Sequence, residues 1–218
     1  RTWRPTHTVV GVPDYAAVRK QQMEGLARFR ERLNAINPRN WPIHDQVDFL
    51  LLRSEMDDVY FEQHILREVE TNPSYYVEQA INPIAAELRT TVPYSAEKAA
   101  AIIAAFQRTS AVLDQAKNNI VLKDTAPEFA EMGIRHVKDI RDKYAAGVRL
   151  FEPHFPSGQR ASLRSAATEA AKDLEGYGKW MQSKIGDMEG QANVGRQNME
   201  WFINRVNFVP WTVDEMLH

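Results

Sequence analysis

A chain of 218 residues in which 44% of side chains are apolar and 26% charged has enough apolar surface to bury a core, and disorder is excluded on composition. The net charge of −2 leaves no basic excess for nucleic acid or an anionic membrane. The absence of cysteine excludes a disulfide scaffold, a thiolate nucleophile and any cysteine-ligated zinc or iron–sulfur site.

Apolar residues recur at helical spacing along almost the whole chain. The first helix is expected from Tyr15 to about Ile36, capped by Asp14 and stopped by Asn37-Pro38. Its basic residues are mixed with acids, as in Arg28-Phe29-Arg30-Glu31-Arg32. A second runs from His44-Asp45 to about Val69, with Val47, Leu50, Leu51, Met56, Val59, Tyr60 and Leu66 dense enough to predict burial on more than one face. Asn72-Pro73 breaks the chain, and two short pieces follow at about 74–79 and 83–88. Ser95 caps a long alanine-rich helix to about Val121, and Thr125 with Pro127 opens another to about Phe151. After the loop at Pro153 and Pro156-Ser157-Gly158, helices are expected at about 160–185 and 194–207. Thr212 followed by Glu215 spells a capping box, the start of one more helix.

No segment alternates as a half-buried strand would, no Asn-Gly or Asp-Gly hairpin signal occurs, and no fixed repeat is present. The pattern predicts an all-α fold: one helical domain over residues 1–218, an antiparallel bundle or array of about seven to nine helices with short broken helices in the middle. Met23, Phe29, Leu51, Phe106, Phe129 and Tyr144 fall on apolar stripes and are expected inside. No apolar run approaches the ~20 residues of a membrane span. Because the capping box leaves little helix to cap and the chain opens at Arg1, the residues read as the amino-terminal part of a longer polypeptide.

No catalytic motif is found. His64 and Glu68 stand one turn apart but lack the H-E-x-x-H pattern in which two imidazoles hold zinc, and they read as a surface or hydrogen-bonding pair. Glu215 and His218 spell one E-x-x-H where a di-iron bundle needs two. No G-x-S-x-G elbow or G-x-G-x-x-G loop occurs. No residue is therefore assigned as a catalytic group or metal ligand.

Two aromatic groups stand out. Tyr75 and Tyr76, beside Asn72-Pro73, could line a pocket or pack a loop against the core. Trp201 and Phe202, with Phe208 and Trp211, read either as core or as an interdomain surface.

Several segments resemble one known family: Asp14-Tyr15 with its glutamine-rich helix, Asp48-Phe49-Leu50-Leu51-Leu52-Arg53-Ser54-Glu55-Met56, Asn72-Pro73-Ser74-Tyr75-Tyr76, and Gly195-Arg196-Gln197-Asn198-Met199-Glu200-Trp201-Phe202 continuing to Pro210-Trp211-Thr212-Val213-Asp214-Glu215-Met216. In this order they look like the amino-terminal half of the bacterial domain of unknown function 885 family. Its members look like helical zinc-dependent peptidases whose H-E-x-x-P-G-H motif lies beyond the stretch present here. The resemblance implies a non-catalytic helical half forming one wall of a substrate cleft, with Arg53, Tyr75 and Tyr76 as cleft candidates and a peptide as the possible substrate. It places zinc in the downstream half, with none held here, and favours export over a cytoplasmic location. The alternative is a stand-alone helical module without activity that binds a protein partner through Trp201, Phe202, Phe208 and Trp211.

Overall fold

The computed structural model describes residues 12–217, and among them every regular element is helical and none is a strand. Asp14 caps α1 (Tyr15–Asn34) by accepting from the Ala17 N–H at 2.9 Å. Asn37-Pro38 then turns the chain through a 3-10 segment into α2 (Ile43–Tyr60). The expected run to Val69 stops short. A π-helical turn, Phe61–Leu66, widens the ladder, and Arg67 in the left-handed region (φ 52°) ends it. A single turn, α3 (Glu68–Thr71), leads to Asn72, whose carboxamide accepts from the Ser74 and Tyr75 N–H groups and caps α4 (Pro73–Leu88).

Two short pieces were expected where α4 stands unbroken. Pro83 removes one ladder donor inside it, yet Tyr76, Val77, Ala80 and Ile84 bury one face, and tertiary burial outweighs the lost bond. The opposite correction applies next. The long helix begun by Ser95 divides at Arg108 into α5 (Ala96–Gln107) and α6 (Thr109–Asn119). The following one divides at Asp139 (φ 58°) into α7 (Pro127–Val137) and α8 (Ile140–Phe151). α9 (Arg160–Lys184) and α10 (Gly195–Arg205) follow. The capping box forms as spelled: the Thr212 N–H donates to Glu215 Oε2 at 2.7 Å and the Glu215 N–H donates to Thr212 Oγ1 at 3.2 Å, opening α11 (Val213–Leu217).

No Pro- or Gly-rich linker divides the sequence, but the helices group into two compact units. The first takes Asp14–Glu68 together with the stretch from Asn193 onward. Here α2 packs against α1 and against α10. The second takes Val69–Ala192 and is built around α9, which touches α5, α6, α7 and α8. Its core joins Ile84, Ile102, Phe106, Phe155 and Leu163 to the small residues Ala166, Ala167 and Ala170, which let neighbouring helices approach closely. Gly178 shows how closely: a Cβ there would stand 2.8 Å from Val137 Cγ2.

Of the six residues expected inside, Phe106 is buried and Met23, Phe129 and Tyr144 are half-buried, whereas Phe29 and Leu51 are exposed. In the first unit α2 is covered chiefly by α1 and α10, which leaves part of the apolar stripes of α1 and α2 without a packing partner.

Candidate functional site

The first unit is organised by one carboxylate. Asp57, on α2, is 2% exposed. Its Oδ2 accepts from Arg205 Nε at 3.0 Å, and Arg30 Nη2 stands 3.4 Å from Oδ1. A buried carboxylate needs such partners, since desolvating it alone would cost several kcal/mol. The Arg30 guanidinium also lies 4.1 Å from the centre of the Tyr60 ring, a cation–π contact, and Tyr60 stacks on the His64 imidazole at 4.4 Å. Burial, followed by the charges of Arg19 and Arg30, holds the His64 imidazole below its ordinary value of 6.5. These groups pair charge with charge and ring with ring, the chemistry of a structural network.

Around it α10 lies antiparallel to the carboxy-terminal half of α2. Ser54 Oγ donates to the Val206 carbonyl at 2.8 Å, and Phe61 packs on Phe202 at 4.5 Å and stacks on Trp201 at 6.3 Å. The aromatic group proposed from sequence therefore divides. Trp201 and Phe202 are half-buried against Tyr60 and Phe61, whereas Phe208 and Trp211, 58% exposed, face solvent. Phe208 adopts φ 55°, and there the chain turns back so that Asn204 Nδ2 donates to the Trp211 carbonyl at 3.1 Å.

That turn leaves half of an apolar stripe bare. Ile43, Val47, Leu50, Ser54, Asp57 and Phe61 are spaced by three, four or seven residues and lie along one side of α2. The last three are covered by the chain from Trp201 to Val206. The first three are not: Ile43 is 79% exposed and Val47 47%, with Leu51 beside them at 52%. Burial on more than one face, expected for α2, does not hold: its buried residues, Ser54 and Asp57, share one side, while Val47, Leu50, Leu51, Val59 and Leu66 are exposed and only Met56 and Tyr60 are half-buried.

Of the cleft candidates, Arg53 lies half-buried on α2, with its Nε enclosed and without a hydrogen-bond partner. Tyr75 and Tyr76 belong to the second unit. Tyr76 is 0% exposed, and its hydroxyl donates to the Val69 carbonyl at 2.7 Å and accepts from Asn119 Nδ2 at 3.0 Å. A side chain so enclosed and saturated offers no surface to a substrate, so Tyr76 is corrected to a core residue. Tyr75 is half-buried, edge-on to Tyr76 at 5.3 Å.

In the second unit an apolar cavity of about 200 Å³ opens between α4, α5, α8 and α9, lined by Ile84, Leu88, Phe106, Tyr144, Val148 and Phe151. The Tyr144 hydroxyl is enclosed and without a partner, and burial pushes its ionisation well above the ordinary tyrosine value.

Among the described residues no three histidine, aspartate or glutamate side chains stand together as a metal ion would require. His218, the second half of the E-x-x-H spacing, lies outside the described residues. Among them no helix is long and apolar enough to cross a membrane.

Comparison with protein-family models, characterised proteins and solved structures finds no match to this chain. Sequence reasoning missed the Asp57 network, because Arg30 and Arg205 read as ordinary surface cations and their convergence is tertiary. It also missed the bare half of the α2 stripe, whose spacing was visible but whose lack of cover was not.

Proposed function

We propose that this chain is the non-catalytic helical half of a zinc-peptidase-like protein, in which it supports a metal-bearing half and supplies one wall of a substrate cleft. The observation that carries the reading is the uncovered stripe Ile43, Val47, Leu50 and Leu51 on α2, continued in kind by Phe208 and Trp211. Large aliphatic side chains aligned on a helix face and left in water are the mark of a surface completed by another polypeptide. The resemblance of Asp48 to Met56 and of Gly195 to Met216 to the zinc-peptidase-like family gives that polypeptide its chemistry. Arg53 and Tyr75 remain the candidates for contact with substrate.

A stand-alone interaction module would expose the same stripe, and the two readings separate at the gene. The reading frame downstream of the His218 codon is expected to continue through an H-E-x-x-P-G-H motif. An immediate stop codon would overturn the peptidase reading and leave the interaction module.

A further inference from the structure

A second feature of the first unit lies on another side of α2. Where α1 turns into α2, a groove of about 430 Å³ opens between the two helices. Leu33, Ile36, Phe49 and Leu52 make its apolar part, and Trp41 stands at one wall, edge-on to Phe49 at 6.1 Å. The wall is held in place locally. The Trp41 N–H donates to the Pro38 carbonyl at 3.0 Å, and Gln46 Nε2 donates to the Trp41 carbonyl at 2.9 Å. Two carboxylates, Asp45 and Asp48, complete the lining, and no cationic side chain is part of it. Asp45 is paired with His44 Nε2 at 3.0 Å, whereas Asp48 has no ion-pair partner among the described residues.

We propose that this groove binds a lysine or arginine side chain of a peptide segment of a partner protein. An indole face and an apolar floor accept the methylene stem of such a side chain. Its charged end gains from the ring face and from a carboxylate that has no other counter-ion. A neutral aliphatic side chain would satisfy the floor and leave the Asp48 carboxylate unanswered, and an acidic one would be repelled. The charge of the lining therefore chooses the occupant. The proposal goes beyond the peptidase reading, since it rests only on residues 33–52 and holds whether or not a metal-bearing half exists.

The test uses three capped five-residue peptides, identical except for a central lysine, norleucine or glutamate between two leucines. Binding to the whole chain is followed through the Trp41 indole N–H resonance, assigned by its loss in Trp41→Phe. The lysine peptide is expected to bind about fivefold more tightly than the norleucine peptide, the sum of one exposed ion pair and one cation–π contact. That preference should shrink with added salt and fall to about twofold in Asp48→Asn, where only the cation–π contact remains; the exposed position of Asp48 leaves folding intact. Equal binding of the three peptides, or no movement of the Trp41 resonance with any of them, would overturn the proposal. Two further outcomes would also overturn it: n-butylammonium binding as tightly as the lysine peptide, which makes the groove a small-cation site, or a Trp41 resonance that moves with protein concentration alone, which makes the occupant a second copy of the chain.

Discussion

Asp57 is the residue on which the first unit most depends. Its carboxylate is enclosed while Arg30 and Arg205 remain partly exposed, so removing it strands two cations that can still reach water. The loss should fall at or just below the lower end of the range for breaking a buried pair, about 2–3 kcal/mol for Asp57→Ala, read as a lowered urea midpoint. Tyr144 predicts the opposite sign. Its hydroxyl is buried and unpartnered, so Tyr144→Phe removes an unsatisfied group and should leave stability unchanged or raise it by up to about 1 kcal/mol. The same burial sets an alkaline limit. In the unfolded chain tyrosine ionises near 10.0, whereas in the folded chain Tyr144 and Tyr177 are pushed higher, so the unfolded state releases protons first. The contribution of each is full below about pH 10 and is lost as pH rises toward the folded value. Urea midpoints should fall from about pH 10 upward, and Tyr144→Phe should make the fall shallower, with Tyr177 and Tyr94, which burial also pushes up, keeping the remainder.

Among the elements, α2 holds both the structural and the functional claim, and its two halves should respond differently to substitution. Leu51→Glu, on the bare half, is expected to change unfolding free energy by less than about 0.5 kcal/mol. Phe61→Ala, just beyond the covered half, empties a site packed by Trp201 and Phe202 and should cost about 3–5 kcal/mol. Equal costs in the two variants would show that the stripe is covered along its whole length. The helical class and most starts were legible in the sequence because caps are local: Asp14, Asn72, Ser95 and the Thr212–Glu215 pair each act within three residues. The interruptions at Phe61, Arg108 and Asp139 were not, because no proline or glycine marks them. Pro83 misled in the other direction, since the burial that overrides it comes from residues far along the chain. The site was legible only as residue types. Trp201 and Trp211 look alike in sequence, and what separates them is the turn at Phe208, which sets one ring against Phe61 and the other in solvent.

At the scale of the whole molecule, a chain with two compact units has two sets of surfaces to cover. The second unit buries most of its large aliphatic residues around α9, leaving Val92, Val121 and Leu150 singly exposed, while the first leaves a line of them on α2 in water. Under the proposed reading, the first unit is the one against which a further polypeptide packs. The direct measurement is photo-crosslinking from position 51, with a photoreactive amino acid replacing Leu51 in the protein as its host makes it and the crosslinked peptides located by mass spectrometry. Crosslinks to residues beyond position 218 of the same polypeptide, in the half that carries the zinc motif, are the result expected of a helical half that supports a catalytic one. Crosslinks confined to these 218 residues, or found only on a separate polypeptide, would contradict it.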